Sequence, residues 1–250
     1  MKLTNKVAIV TGGARDIGKA ISLKLASLGA KVVINYFDNE QNAKETLQEI
    51  IAAGGQSIVV RGDMTKQADV KRLVEEATKH FGNEINILVN VVGGLVARKT
   101  IQEMDEAFWD FLMEVNLKSV FLTTKAVTPF MKSGASIVNF SSQAGRDGGG
   151  MGASAYATAK GAVMTFTRSM AKELGPNGIR VNAICPGMIA TTFHDRFTKD
   201  EVRQKVAAAT PLRREGNANE IADLAAYLAS EESSFITGVG VDINGGTYFS

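Results

Sequence analysis

The chain has 250 residues, 45% of them hydrophobic, and its 28 lysines and arginines nearly balance its 26 acidic residues. This apolar content is enough for a sizeable core, and the balanced charge argues against a nucleic-acid or acidic-membrane partner. The only cysteine, Cys185, leaves no intrachain disulfide, as expected for a reducing compartment. Without a signal-peptide apolar region or an apolar run of spanning length, we expect a cytoplasmic protein with no membrane partner.

Short apolar runs alternate with longer segments of helical periodicity. The predicted strands are Val7–Thr11, Lys31–Tyr36, Ser57–Arg61, Ile87–Asn90, Ser136–Phe140, Arg180–Ile184 and Gly240–Ile243. The predicted helices are Ile17–Leu28, Glu40–Ala53, Lys66–Phe81, Asp105–Lys132, Tyr156–Leu174 and Ala218–Ala229. The apolar runs are mostly continuous, which is typical of strands covered on both faces. We therefore predict one α/β domain over residues 1–250, with a Rossmann-type doubly wound sheet of seven parallel strands and helices on both faces.

Two stretches interrupt this alternation. Gly145–Gly152 is rich in glycine and is predicted to be a loop. Met188–Arg214 follows Pro186-Gly187 and contains a short helical pattern near Glu201–Ala209. Long excursions in compact domains are often binding loops, so we predict a substrate lid near residues 188–214.

A glycine-rich turn joins the first strand to the first helix. It reads Thr11-Gly12-Gly13-Ala14-Arg15-Asp16-Ile17-Gly18. A turn in this position presents backbone N–H groups and the positive end of a helix to a pyrophosphate. The alternative is a tight β-α connection with no ligand.

Tyr156 and Lys160 are four residues apart, so on a helix they lie on the same face. An ammonium beside a phenol favours the phenolate and should lower the pKa of Tyr156 from about 10. Tyr156 is then a candidate general acid and base. Taken alone, the spacing also fits an ordinary solvated helix face.

The order of these motifs resembles the compact, single-domain branch of the short-chain dehydrogenase/reductase family over essentially the whole chain. The segments that carry the resemblance are the turn Gly12–Gly18, Gly62-Asp63-Met64-Thr65, Asn90, Asn116 in Val115–Phe121, Ser141–Gly145, the Tyr156/Lys160 pair and Cys185–Thr191. The resemblance implies an oxidoreductase that transfers a hydride between a nicotinamide and a carbonyl or secondary alcohol.

By this resemblance, one set of residues binds the dinucleotide. Gly12, Gly13, Ala14, Arg15, Ile17 and Gly18 are expected at the pyrophosphate and adenosine end, with Asp63 and Met64 at the adenine, Asn90 and Gly93 behind the adenine ribose, and Ile189 and Thr191 at the carboxamide. The catalytic residues implied are Asn116, Ser142, Tyr156 and Lys160, and Tyr156 and Lys160 also contact the cofactor.

The end of the second strand decides between the two coenzymes, because an acidic residue there binds the ribose 2′-OH and repels a 2′-phosphate. Tyr36 occupies this position and Arg15 supplies a cation, which favours NADP(H). Asp38, two residues further on, is the argument for NAD(H).

The sequence departs from the family pattern twice. Asp16 replaces the middle glycine of the turn, and the usual Asn-Asn-Ala-Gly reads Asn90-Val91-Val92-Gly93. Asp16 costs backbone freedom if that position needs a positive φ, although Asp tolerates it better than most residues.

The substrate is expected to be a small molecule. Cations in the stretches predicted to line the entrance are Arg98, Lys99, Arg146, Arg196, Arg213 and Arg214. Arginine matches carboxylates, so a polar, sugar-derived or uronate-derived ketone is one hypothesis. A 3-oxoacyl substrate, ordinary surface charges and a catalytically idle NADP-binding sensor are the alternatives. The two histidines, His80 and His194, have no metal-ligand companions, so no metal is predicted. Resemblance also implies a homotetramer.

Overall fold

A parallel sheet forms the centre of the fold. The structure is a computed structural model that describes residues 2–192 and 200–249. Over these ranges the sheet has seven strands in the order β3-β2-β1-β4-β5-β6-β7. They are β1 Val7–Thr11, β2 Lys31–Tyr36, β3 Gln56–Arg61, β4 Ile87–Asn90, β5 Ser136–Phe140, β6 Arg180–Pro186 and β7 Gly240–Ile243. The predicted doubly wound α/β fold is confirmed.

Helices cover both faces of this sheet. They are α1 Asp16–Ser27, α2 Glu40–Ala52, α3 Gln67–Phe81, α4 Glu106–Met113, α5 Ser119–Val127, α6 Ala144–Asp147, α7 Ser154–Leu174, α8 Asp200–Ala209 and α9 Ala218–Ala229. Among the described residues, none of these helices has the length and apolar character that crossing a membrane requires.

Strand β1 shows why the apolar runs are continuous. Ala8 and Val10 belong to the core cluster that includes residues of α1 and α9. Ile9, between them, belongs to the cluster on the other face, which includes residues of α3 and α7. Because successive side chains point to opposite faces, both sets must be apolar when both faces are covered.

The chain order reverses between β1 and β4, which are neighbours in the sheet. Thr11 at the end of β1 lies opposite Asn90 at the end of β4. In open α/β sheets, ligands bind in the crevice outside the strand ends at such a reversal. The glycine turn and the segment after Asn90 therefore border one cleft.

The predicted helix over Asp105–Lys132 is wrong in its interior and at its end. A π-helical turn, Glu114–Lys118, separates α4 from α5, and a 3₁₀ turn, Thr128–Phe130, follows α5. The Asn116 side chain donates a 3.0 Å hydrogen bond to the Leu112 carbonyl oxygen, which competes with the α-helical ladder. Pro129 lacks the N–H that the helix would need to continue.

Each of the two irregular stretches contains helical residues. The predicted loop Gly145–Gly152 is wrong at its start, because α6 covers Ala144–Asp147 and ends at Gly148, whose φ is +87°. The helical piece predicted near Glu201–Ala209 is confirmed as α8. His194, Arg196 and Phe197, within the predicted lid, lie outside the described residues.

Candidate active site

The glycine turn is held by the end of β2. The Gly12 N–H donates a 3.1 Å hydrogen bond to Asn35 Oδ1, and the Gly13 N–H donates 2.9 Å to the Asn35 carbonyl. Gly12 has a φ of +62°, and Gly18 packs so tightly on the Gly12 carbonyl that a Cβ on Gly18 would overlap it. Ser22 Oγ donates to the carbonyls of Gly13 and Gly18 at 3.0 and 2.9 Å. Glycine is therefore required at both ends of the turn.

Helix α1 begins in this turn without a cap. Its N-cap residue, Arg15, makes no side-chain cap hydrogen bond. An uncapped helix start offers N–H groups and a positive dipole end to an anion. The turn thus has the shape and polarity that a pyrophosphate requires. The predicted pyrophosphate residues Gly12, Gly13, Ala14, Arg15, Ile17 and Gly18 lie together here.

The predicted adenosine residues lie at the neighbouring strand ends. Tyr36 is half-buried at the end of β2, and its carbonyl accepts 2.8 Å from the Gly62 N–H. Thr65 donates to Asp63 Oδ1 from its backbone N–H and its hydroxyl, at 2.9 and 2.8 Å. Met64 is buried. The Asp63 carboxylate is therefore held in one orientation next to the cleft.

Asn90 faces the interior with its side chain. Thr123 Oγ1 donates 2.7 Å to Asn90 Oδ1, and Asn90 Nδ2 donates 2.9 Å to Asn139 Oδ1. Asn139 Nδ2 in turn donates 3.0 Å to Thr167 Oγ1. This buried network joins β4 and β5 to α5 and α7, so the Asn90 side chain supports the strand ends rather than the cleft.

Tyr156 and Ser142 meet where β5 ends against α7. Their side chains share a hydrogen bond. Burial raises the pKa of Tyr156 above its ordinary 10.0, and the Ser142 hydrogen bond lowers it by a smaller amount. The predicted lowering of the Tyr156 pKa by Lys160 is therefore wrong in this structure, because desolvation of the phenolate outweighs the attraction of neighbouring groups.

Lys160 lies beneath the tyrosine ring. Its Nζ is 5.7 Å from the Tyr156 ring centroid and donates 2.8 Å to the Phe140 carbonyl oxygen. The residue is only 3% exposed, and this burial lowers the pKa of Lys160 to about 8. Ser141 Oγ also donates a 2.8 Å hydrogen bond to the Lys160 carbonyl, so the end of β5 is bonded to this turn of α7.

Asn116 connects the π-helical turn to the segment after β4. Its Oδ1 accepts 2.9 Å from the Gly94 N–H, and its Nδ2 donates 3.0 Å to the Gly94 carbonyl. A Cβ on Gly93 would lie 2.7 Å from Asn116 Oδ1 and 2.8 Å from Lys160 Nζ. Gly93 thus lies beside the lysine, and only a glycine leaves this approach open.

The structure brings all four predicted catalytic residues to the same edge of the sheet. The Ser142 and Tyr156 hydroxyls share a hydrogen bond, Lys160 Nζ lies 5.7 Å from the Tyr156 ring centroid, and the buried Asn116 amide holds Gly94 beside them. A phenol beside a second hydroxyl can give a proton to an oxygen that gains negative charge.

A short segment, Met188–Thr192, crosses towards the glycine turn, and we call it the strap. Its inner end is bound to Gly216, whose N–H donates 3.0 Å to the Met188 carbonyl and whose carbonyl accepts 2.9 Å from the Ala190 N–H. Ile189 is buried, and Thr191 Oγ1 donates 3.1 Å to the Ile189 carbonyl. The predicted carboxamide residues are therefore on an ordered segment.

The sequence analysis did not identify Thr192 as a site residue. Its N–H and its Oγ1 donate to the two carboxylate oxygens of Asp16, at 3.1 and 2.6 Å. Arg15 Nη1 donates 3.1 Å to the same hydroxyl. The aspartate in place of the family glycine was the available signal, but a contact across 176 residues cannot be inferred from one sequence.

Of the five predicted entrance cations that the structure describes, three are paired with carboxylates. Lys99 pairs with Asp105 at 3.1 Å, Arg146 with Asp242 at 3.2 Å and Arg214 with Glu220 at 2.6 Å. Arg146 therefore ties α6 to β7, and the prediction that it serves the substrate is not supported by its position.

Arg98 differs from those cations. It is exposed, and its Nη1 donates 3.0 Å to the Met151 carbonyl in the glycine-rich segment before α7. The backbones meet here too, since the Lys99 N–H donates 3.1 Å to the Gly152 carbonyl. Arg98 thus borders the entrance. Among the described residues, no group of three or more His, Cys, Asp or Glu is placed to hold a metal.

The fold and this group of residues define a dinucleotide-dependent oxidoreductase, and sequence comparison agrees. The sequence model of the family described as "Enoyl-(Acyl carrier protein) reductase" matches residues 12–248. The chain is 37% identical over 251 residues to the 3-oxoacyl-[acyl-carrier-protein] reductase FabG of Staphylococcus aureus, covering 99% of this chain and 100% of that one. The Staphylococcus epidermidis protein of the same name is 36% identical over 247 residues, or 98% of this chain and 99% of that one.

Solved structures give the same result. A short-chain dehydrogenase/reductase from Serratia marcescens superposes with a TM-score of 0.93 at 32% identity, over 98% of this chain and 99% of that one. A blue fluorescent protein from a metagenomic library, solved in complex with NADPH, has a TM-score of 0.93 at 30% identity and covers both chains fully. The chain belongs to the short-chain dehydrogenase/reductase family. It is an oxidoreductase of that family.

Proposed function

We propose that this protein is an NADP(H)-dependent reductase of a ketone or aldehyde, with Asn116, Ser142, Tyr156 and Lys160 as its catalytic group. The observation that carries the proposal is the Ser142–Tyr156 hydroxyl pair above the buried Lys160, at the sheet edge that also holds the glycine turn. Proton donation and anion binding are then available on either side of one cleft.

Each residue has a role in the reduction. Ser142 and Tyr156 bind the substrate carbonyl oxygen and stabilise the negative charge that develops on it. When bound, the reduced nicotinamide supplies the hydride that the carbonyl carbon receives. Tyr156 Oη gives its proton to the oxygen, so the product is an alcohol and Tyr156 is left as a phenolate. Lys160 stabilises that phenolate, and Asn116 holds Gly94 and the cleft wall in place.

The dinucleotide would lie across the strand ends. Gly12, Gly13, Ala14, Arg15, Ile17, Gly18, Tyr36, Asp63, Met64, Asn90, Gly93, Ile189 and Thr191 are the proposed cofactor residues beside Tyr156 and Lys160. NADP(H) is favoured because Tyr36 places no acidic group at the end of β2. The NADPH complex of the metagenomic fluorescent protein supports this preference.

The substrate that the geometry favours is a small polar oxo acid, such as a sugar-derived or uronate-derived ketone. Arg98 is the reason, since it is exposed at the entrance and has no carboxylate partner in the described part of the chain. A single guanidinium binds one carboxylate in a bidentate manner, so one arginine is enough.

A 3-oxoacyl thioester is the second candidate. The full-length identity to two reductases named for 3-oxoacyl-[acyl-carrier-protein] favours it. A carrier protein would also need a docking surface of about 1,000 Å² around the entrance. Lys99, Arg146 and Arg214 are paired with carboxylates, so among the described entrance cations Arg98 and Arg213 are the ones left to take part in such docking.

Initial rates of NADPH and NADH oxidation test these proposals. The panel contains a sugar-derived oxo acid, the same compound with its carboxylate converted to an amide, and a 3-oxoacyl thioester. Preference for the acid over its amide supports the oxo-acid proposal. Preference for the thioester supports the second candidate. Tight NADPH binding with no turnover on any of them would indicate the idle sensor instead.

Other features remain proposals of the same kind. We propose that residues 1–250 form a single domain, that a substrate lid lies near residues 188–214, and that the enzyme works as a cytoplasmic homotetramer. The sheet with helices on both faces and the strap support the first two. Light scattering of the purified protein measures the assembly.

A further inference from the structure

We propose that Asp16 is a positioning residue that fastens the strap to the glycine turn and thereby slows release of the dinucleotide. The proposal rests on the proposed function, because it requires a dinucleotide between the turn and the strap. It concerns Asp16, which replaces a glycine of the family pattern.

The first observation is the backbone of Asp16. Its φ is +50°, in the left-handed region that favours glycine. The resemblance places a glycine here, so this chain keeps a less favourable residue at a position where glycine would be relaxed. Residues held in sparsely populated conformations are often retained for a functional reason.

The second observation is what the side chain does. Both carboxylate oxygens of Asp16 are used by Thr192, one by its N–H at 3.1 Å and the other by its hydroxyl at 2.6 Å. Hydrogen bonds to a charged acceptor are stronger than neutral ones. The nearby Arg15 Nη1 also donates to the Thr192 hydroxyl at 3.1 Å. We call these three residues the clasp.

The third observation is where the clasp sits. The strap is bound at its inner end to Gly216, which approaches so closely that a Cβ there would lie 2.6 Å from Ile189 Cδ1. The clasp binds the outer end to the first residue of α1, in the turn that fits the pyrophosphate. A strap attached at both ends cannot swing away from the cleft without breaking one attachment.

The clasp is expected to affect binding and release of the dinucleotide rather than the chemical step. With the clasp formed, Ile189 and Thr191 are held at a set distance from the turn, so the nicotinamide half is confined. Opening the clasp is then one step of dinucleotide release. Asp16 also brings a negative charge near the pyrophosphate, which would weaken binding, and the test must separate the two effects.

Three variants separate them. Asp16→Gly removes the clasp and the charge. Asp16→Asn removes the charge but keeps an oxygen that accepts a hydrogen bond from Thr192. Thr192→Val removes the hydroxyl and keeps the side-chain volume and the charge. Thr192→Ser, which keeps the hydroxyl, is the matched conservative control.

The measurements are the NADPH dissociation rate by stopped-flow fluorescence and hydrogen exchange of the Thr192 amide in the protein without cofactor. Asp16→Gly and Thr192→Val should each raise the dissociation rate about tenfold, and Asp16→Gly should speed exchange of the Thr192 amide. The double variant Asp16→Gly/Thr192→Val should release NADPH no faster than the faster of the two single variants, because both substitutions remove the same contact. Thr192→Ser should behave as the unchanged protein, and Asp16→Asn should release NADPH more slowly than Asp16→Gly.

Three outcomes would overturn the proposal. If Asp16→Gly and Asp16→Asn change the dissociation rate equally, the charge alone matters. If Thr192→Val releases NADPH at the unchanged rate, the hydroxyl contact has no such role, and the proposed function is unaffected. Failure of the unchanged protein to bind NADPH would instead overturn both proposals.

Discussion

Lys160 Nζ donates a 2.8 Å hydrogen bond to the Phe140 carbonyl oxygen while lying 5.7 Å from the centroid of the Tyr156 ring. The ammonium is therefore oriented by the end of β5 and not by the phenol. Its pKa is lowered by burial and that of Tyr156 is raised by burial. Both groups are thus biased towards their neutral forms, which suits a site where Tyr156 must hold a proton until the carbonyl oxygen takes it.

Tyr156→Phe tests the proton donor. It removes only the hydroxyl, so we expect kcat to fall about 10³-fold while NADPH binding is retained. Steady-state kinetics and NADPH fluorescence titration measure the two quantities. Tyr227→Phe, on the outer part of α9, is the matched control and should keep its activity. Substantial turnover by Tyr156→Phe would contradict the assignment.

Lys160 makes stability depend on pH. In the unfolded chain the lysine keeps its proton up to about its ordinary pKa of 10.5, whereas folded Lys160 loses it near a pKa of about 8. The unfolded state therefore binds more protons between these values, and the free energy of unfolding rises with pH across that window. Below about pH 8 the lysine is protonated in both the folded and the unfolded state, so its destabilising effect on the folded state does not change with pH. The full rise is about 3 kcal/mol.

The comparison that isolates this effect is Lys160→Met, which has a similar volume and no charge to lose. Urea unfolding at about pH 7 and about pH 10 should show the extra stabilisation in the unchanged protein only. Tyr156 acts in the opposite direction, because the unfolded phenol starts to lose its proton near its ordinary pKa of 10.0 while the folded phenol, with its raised pKa, keeps it. Both proteins contain Tyr156, so this contribution cancels when the two are compared at the same pH. A stability difference between the two proteins that is the same at both pH values would contradict the burial argument.

The sequence predicts the sheet well because burial on two faces leaves a direct pattern. Every residue of β1 and β5 is buried, and continuous apolar runs mark these strands without ambiguity. Order along the chain then places Ser142 and the Tyr156–Lys160 pair at neighbouring strand and helix ends. Strand burial is a local property and the positions of these residues follow from chain order, so both can be predicted from a single sequence.

Other features depend on contacts between distant segments and on competing energies. The π-helical turn at Glu114–Lys118 could be predicted only by knowing that the Asn116 amide bonds to Gly94 and Leu112. The pKa of Tyr156 depends on whether burial or charge is larger, and only the packing decides this. The clasp of Asp16 with Thr192 joins residues far apart in the chain, and the sequence showed only an unusual aspartate.

Tyr36→Asp tests the coenzyme preference. A carboxylate at the end of β2 would bind a ribose 2′-OH and repel a 2′-phosphate, so the ratio of kcat/KM for NADH to that for NADPH should rise about 100-fold. Tyr36→Phe controls for loss of the hydroxyl and should leave the ratio unchanged. An unaltered ratio in Tyr36→Asp would mean that this strand end does not select the coenzyme.

Arg98→Ala tests the substrate class. If the guanidinium binds a substrate carboxylate, KM for the oxo acid should rise about 10- to 100-fold, while KM for its amide should stay nearly unchanged. Arg98→Lys should restore only part of the loss, because an ammonium cannot form the bidentate pair. The neighbouring Lys99, already paired with Asp105 at 3.1 Å, supplies the matched control, and Lys99→Met should leave both KM values unaltered. Equal losses on the acid and the amide would assign Arg98 to holding the Met151 carbonyl at 3.0 Å, and the thioester would become the favoured substrate.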